Sequence, residues 1–519
     1  MIKKILLLLL IPFIVFSQDM DDLFSERPEI YFSFEYKSRS QLNTISDIIS
    51  IDHKTNGKLA YAYANKKEYK KFLKFEIEHT IIPHQPLNFI NGNKNNWDYY
   101  PTYEGYVDMM NAFADSFPNI CKLHNLGTLN SGREILIVQI SDNVSQKENE
   151  PSFLYTSSMH GDELAGYVLS LRLIDYILSG YGENPRLTNL VNEIDIWINP
   201  LANPDGAYYG GNQDVWSATR SNANWVDLNR NYPDPQDGPH PDGNPYQIET
   251  NIFLALADSV NFTLSANMHG GVEVCNYPWD TWSNLTADDS WWQYVTREYA
   301  DSCQTNSGNG YFEWSNWNNP SANGVVNGHD WYEVDGGRQD YMNYFRHCRE
   351  FTLELSDEKT PNPNDLPDLW NANYPSLLNY MEQSLYGLRG IITDSITGIP
   401  LKAKVEILGY DVDSSHVYSN LPIGNYHRYL IQANYDVTFS KTGYHSKTIN
   451  TTILNNNTTI QNVQLAPVNT PPTAINEEIA NNKENTFTDI LGREVKRTKN
   501  TPLLYINNDG KVKKQIVIE

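Results

Sequence analysis

Beyond its first sixteen residues this 519-residue chain has no apolar run approaching the roughly 20 residues of a membrane-crossing helix, so no stable membrane insertion is expected. Cysteine is scarce. Cys121, Cys275, Cys303 and Cys348 are too few for a disulfide-built scaffold and allow at most two bridges, in three possible pairings. Positive charge is in deficit: 39 basic against 63 acidic residues give a formal charge of -24. Such a surface repels nucleic acid and anionic membrane and mildly favours cationic partners, so no nucleic-acid partner is expected. Internal repeats are not visible.

What is present begins with a targeting pattern over residues 1–17: Lys3 and Lys4, an apolar run from Ile5 to Phe16, then the small Ser17. The run is too short to span a bilayer. No cysteine follows it to carry a lipid anchor.

Length alone suggests three or four modules at about 150 residues each. Residues 18–96 form an expected N-terminal α/β segment and linker. Ile30–Tyr36 and Leu59–Ala64 have strand content, Lys66–Phe75 reads as helical, and Pro83–Asn96 is rich in Asn and Pro. This segment is either a pro-region that covers a site until removed or a packing module. Across 97–386 a helical Thr102–Phe117 is followed by alternating strands and helices, which implies α/β layers. Residues 387–466 change to short strands such as Lys404–Leu408 and Tyr435–Phe439 between turn clusters, in outline a small β-sandwich. A linker with three prolines opens 467–474, and 475–519 is a short β-rich module.

Chemistry concentrates in the second module. His160 and Glu163 stand in Ser158-Met159-His160-Gly161-Asp162-Glu163, after the apolar Phe153-Leu154-Tyr155 and before a helix with Leu164, Val168, Leu171, Ile174 and Leu178 on one face. At such a strand–turn–helix junction an imidazole and a carboxylate three residues apart can converge on one ion. Roughly one or two pairs at this spacing arise by chance in such a composition, so the pair gains meaning only with a third ligand. His269 supplies one, at the end of an alternating strand and before Gly270-Gly271. Two His and one Glu form a ligand set of catalytic zinc, with a fourth position left open for water.

Asn203-Pro204-Asp205-Gly206, Asp227-Leu228-Asn229-Arg230-Asn231-Tyr232-Pro233 and Phe351-Thr352-Leu353-Glu354-Leu355, with the His160 and His269 segments, resemble the zinc carboxypeptidase family. Within it the resemblance is to the regulatory branch that includes carboxypeptidases D, E, M and N. It runs from roughly Tyr100 to Tyr386, about half the chain, and continues at Gly387-Leu388-Arg389-Gly390, which looks like the transthyretin-like domain of that branch. The resemblance implies a mixed β-sheet flanked by helices, one zinc ion per catalytic domain held by His160, Glu163 and His269, and Glu354 as general base. Zinc lowers the pKa of bound water to about 7, and a nearby carboxylate takes its proton during attack on the scissile carbonyl.

The resemblance further assigns Arg220 to polarising that carbonyl, Asn229 and Arg230 to the terminal carboxylate of a peptide, and Tyr332 to capping the substrate. Gln339, fifteen residues before Glu354, and Asp280, eleven after His269, fall where the branch lines its pocket for basic side chains. Cleavage before C-terminal Lys or Arg is therefore expected. Arg338 departs from this pattern, because a cation turned into that pocket would repel such a substrate.

Thr488–Val495, Pro502–Ile506, Asp509-Gly510-Lys511 and Ile516-Val517-Ile518 look like the C-terminal sorting domain of the type IX secretion system. That resemblance implies export through the periplasm by the secretion machinery to the cell surface or medium. A monomer acting on peptide or protein C termini is the expectation. A cell-wall peptide amidase of the same family and a non-catalytic surface binding protein are the alternatives.

Overall fold

A computed structural model describes residues 20–25, 27–52, 54–55, 57–84, 87–308, 310–315 and 322–468, and the backbone of 487–488, 494–495, 502–506 and 512–516. The targeting segment 1–17, residues 469–474 of the proline linker, and most of the sorting module with its 508–510 turn lie outside the described residues. Contacts divide the chain into two compact units, Met1–Ala466 and Pro467–Glu519. In the second, Phe487–Thr488, Glu494–Val495, Pro502–Ile506 and Val512–Ile516 pair as one antiparallel sheet.

The larger unit opens with a four-stranded sheet of β1 (Glu29–Glu35), β2 (Ser50–Ile51), β3 (Leu59–Asn65) and β4 (His79–Ile82), in the order β2-β3-β1-β4. Alternation sorts its two faces. Ile30, Phe32 and Phe34 are buried on one, each paired across β3 with Ala64, Ala62 or Ala60, so large side chains stand beside small ones. Lys66–Phe72 is helical, started by Asn65 and Glu68 in a reciprocal cap. The expected continuation to Phe75 is a 3₁₀ turn that Glu76 ends in the left-handed region.

The central sheet has eight strands: β5 (Cys121–Thr128), β6 (Glu134–Ile140), β7 (Ser152–Ser157), β8 (Asp195–Asn199), β9 (Phe262–His269), β10 (Val272–Tyr277), β11 (Val325–Asn327) and β12 (Arg349–Ser356). Their order is β11-β10-β12-β9-β7-β8-β6-β5. The strands β8, β7, β9 and β12 run parallel, β5 and β6 pair antiparallel with their neighbours, and β10 is antiparallel to β12 but parallel to β11, which makes the sheet mixed. Period-two alternation feeds two cores. Leu136, Val138, Phe153 and Tyr155 pack on one side, while Ile135, Ile137 and Leu154 pack on the other. The helix Ala165–Gly180 is buried beyond the one face its spacing marks, at Tyr167, Leu169, Leu173 and Ile177 as well. The reason is its place between the sheet and the helix Leu366–Gln383.

Two smaller sheets follow, one built on β13 (Gly387–Asp394) and one on β14 (Lys404–Ile407), β15 (Val417–Tyr418), β17 (Ala433–Ser440) and β18 (Lys447–Ile453). On β13 pair β16 (Asn425–Arg428), β19 (Thr458–Ile460) and β20 (Val463–Leu465). Leu388, Ile392, Val405, Val437 and Phe439 fill the space between the sheets. Asp288 ties this β-module to the central sheet: its carboxylate meets Arg349 at 2.6 Å and Arg428 at 2.8 Å, all three buried. All four cysteines are free and buried, so none of the permitted bridges forms.

Candidate metal centre

The turn after β7 brings His160 and Glu163 into the interior. A side chain at Gly161 would run into the backbone of Gly206 and Ala207, so only glycine fits there. His269 ends β9, and Gly271, at φ +122°, turns the chain away. Nδ1 of His160 lies 2.9 Å from Glu163 Oε2, and Nδ1 of His269 lies 2.7 Å from the same oxygen. The two Nδ1 atoms are 3.1 Å apart. Outer ring nitrogens are held from behind: Asp227 Oδ1 is 2.9 Å from His160 Nε2, and the Asn267 amide is 2.8 Å from His269 Nε2.

This donor set fits a divalent cation. Burial pushes the His269 imidazole down to about 4, which keeps it in the neutral form that ligates. Burial also acts to raise Glu163, but His160, Lys359 and His269 more than offset it and hold the carboxyl well below its usual range. Its second oxygen is fixed by Lys359 Nζ at 2.7 Å and by Arg220 Nη1 at 3.1 Å.

Glu354 is the register partner of His269 in the parallel pair β12 and β9, and it is fully buried. Burial, then the Glu163 charge, raises its carboxyl well above the usual range. Arg220 is also fully buried, its Nε donating to Asp227 Oδ2 at 3.1 Å. Arg230 donates Nη1 to the Asn229 carbonyl at 2.9 Å, while its buried Nε and Nη2 have no hydrogen-bond partner among the described residues. Asn229 Oδ1 accepts from the Arg338 backbone at 3.0 Å. Gln339 donates to Asp280 at 3.0 Å, and burial lifts the Asp280 carboxyl to about 7.

Contrary to the expectation, Arg338 is not turned toward the Asp280 and Gln339 pair. Its guanidinium leaves Gln339 behind, meets Glu350 at 3.2 Å and lies over the Phe253 ring, so its charge is neutralised away from the Asp280 pair. Asp227 and Lys359 went unassigned in the sequence. Asp227 stands inside a recognisable motif, but its partner is 67 residues away, and no local spacing marks Lys359.

The N-terminal sheet lies against this centre. Tyr63 donates to Asp162 at 3.2 Å and faces both Arg220 and Lys359, and Asp52, fully buried, is 3.8 Å from Lys359. Tyr332 donates to the Ile51 carbonyl at 3.4 Å, and Asn43 to Glu333 at 2.8 Å. Its apolar core runs on into Val272, Val274, Trp331 and Val334 of the body.

Mixed sheet and buried His-Glu-His cluster together define an α/β protein with a candidate metal centre at the ends of its parallel strands. A zinc carboxypeptidase family model matches residues 106–376. Carboxypeptidase D of Mus musculus is 33% identical over 393 residues, covering 72% of this chain, and this chain spans only 27% of that relative. Carboxypeptidase M of Mus musculus is 34% identical over 363 residues, covering 67% of this chain and 79% of the relative. The carboxypeptidase A structure from Helicoverpa armigera shares the fold, with a TM-score of 0.53 at 18% identity, over 69% of this chain and 97% of that one. The chain belongs to the zinc carboxypeptidase family. Among the described residues no helix is long and apolar enough to cross a membrane.

Proposed function

We propose that the protein is an exported zinc metallocarboxypeptidase that removes single residues, preferentially Lys or Arg, from peptide and protein C termini. The observation that carries this reading is the Arg230 guanidinium, buried with Nε and Nη2 unpartnered among the described residues, as a fork awaiting a carboxylate would be. His160, Glu163 and His269 would hold one zinc ion, which when bound supplies Lewis-acid activation of water.

This chain's own groups supply the rest. Glu354, its basicity raised by burial, accepts the proton of the attacking water and returns it to the leaving amine. Arg220, already oriented by Asp227, stabilises charge growing on the carbonyl oxygen. Asn229 and Arg230 hold the terminal carboxylate, and Tyr332 closes over the substrate. Asp280 and Gln339 pair with a basic side chain, whose burial without a partner would be costly.

The N-terminal segment reads as a pro-region. What favours this over a packing role is burial: His160, Glu163, His269, Arg220 and Glu354 are all at most 1% exposed beneath its contacts. Residues 1–17 and 475–519 fit export through the periplasm by the type IX machinery, and residues 387–466 fit a transthyretin-like module.

The test is a panel of peptides differing in the C-terminal residue, assayed with processed protein and with Glu354→Gln. The expectation is chelator-sensitive release of Lys and Arg, and a variant that keeps zinc but loses about 10²–10⁴-fold in turnover. Turnover of muropeptides alone would indicate the amidase. Absence of both zinc and turnover would leave a binding protein.

A further inference from the structure

A cavity of about 210 Å³ lies where the β-module meets the body, at the start of β9. About 3.3 Å of rise per residue puts Phe262 roughly 23 Å from His269 at the other end of that strand, so the cavity is separate from the metal centre. Its charge is unlike that of the whole chain. The protein carries 63 acidic residues, yet no Asp or Glu lines this cavity, which instead presents Arg346, Lys402, His347 and His427.

The donors are also unspent. His427 on β16 is only 7% exposed, and neither ring nitrogen has a hydrogen-bond partner among the described residues. Nε of Arg346 is likewise buried and unpartnered, although its other nitrogens reach Asp258 and the Ala257 carbonyl. Buried polar groups are nearly always satisfied, so two such groups at one cavity point to something bound there. A water takes up about 30 Å³ in the liquid, so the space admits a group of several heavy atoms. Exposed Phe345 and Tyr418 flank it, and Lys402 stands over the Tyr418 ring. Burial, with the Arg389 and Lys147 charges, pushes His427 down to about 3, so the ring is a neutral donor of one N–H; Asp258 already pairs with Arg346, so among the described residues the unpaired positive charge is that of Lys402.

We propose that this cavity is a binding site for a compact oxyanion of the phosphate class, taken up as the free ion or as the charged end of a sugar phosphate against the aromatic rim. Hydrogen bonds from ionised donors to such an oxyanion are the strong kind, and here they come from the Lys402 ammonium and the unpartnered Nε of Arg346.

The probe is inorganic phosphate, titrated by calorimetry into the full chain, with glucose 6-phosphate as a second arm. Lys402 is exposed, so Lys402→Gln is expected to leave the core intact, and His427→Gln removes the buried ring. One phosphate is expected at this site, weakened at least fivefold by Lys402→Gln and lost in His427→Gln. Tighter binding of the sugar phosphate than of phosphate assigns the rim to the sugar, and equal binding assigns the free ion. Phosphate binding that Lys402→Gln leaves unchanged places the anion elsewhere, for example at the metal centre, and overturns the proposal. No binding in the wild type overturns it too and leaves a water-filled cavity.

Discussion

The phenol of Tyr332 donates a 3.4 Å hydrogen bond to the backbone carbonyl of Ile51. The residue expected to close over a substrate is thus held by the N-terminal segment, whose Asp52 and Tyr63 also face Lys359 and Arg220 beside the candidate metal ligands.

Cleavage in the exposed stretch around Lys94 is therefore expected to raise kcat/KM by roughly tenfold or more, as when only a small fraction of molecules is binding-competent. Activity before and after limited proteolysis, with residues 20–82 separated, checks this. Equal rates would make the segment a packing module.

Arg230→Lys keeps the charge but loses the planar fork. A charge-assisted bond is worth about 1.5–3 kcal/mol, so kcat/KM should fall about 10–100-fold, chiefly through KM. Peptides ending in an amide should be poor substrates of both forms. A variant with wild-type KM would detach Arg230 from the carboxylate.

Asp280 gives a pH signature. Burial raises its carboxyl to about 7, so it is mostly neutral at pH 6 and mostly ionised at pH 8. The folded state binds this proton more tightly than the unfolded chain, so its contribution to stability is complete at acid pH and is lost as pH rises toward and through 7. For a C-terminal Lys the sense is opposite, because only the ionised carboxylate pairs with it. KM for Lys should fall about tenfold from pH 6 to 8, while Leu shows no such change and Asp280→Asn flattens the Lys profile. A Lys profile that Asp280→Asn leaves unaltered would remove this residue from the specificity pocket.

Much of the scaffold could be read from local pattern. The apolar run Phe153-Leu154-Tyr155 and the alternation leading to His269 announced strands, because neighbours two apart share a face whatever the rest of the chain does. His160 and Glu163, three residues apart at one turn, were legible for the same reason, and His269 by its place at a strand end. The helix Ala165–Gly180 was found but its burial underestimated, since periodicity reports one apolar face and not how many layers enclose it.

By itself, then, the sequence determined which segments become strands and helices and which side chain types stand at the turn and strand ends. Tertiary structure alone decided that Asp227 turns His160, that Lys359 and Arg220 hold Glu163, that Arg338 points to Glu350, and that the N-terminal sheet covers the centre. The physical reason is range. Secondary structure follows from neighbours a few residues apart, whereas the partner of a buried charge is set by whichever distant segment packs against it, and an unpaired charge there is too costly to leave.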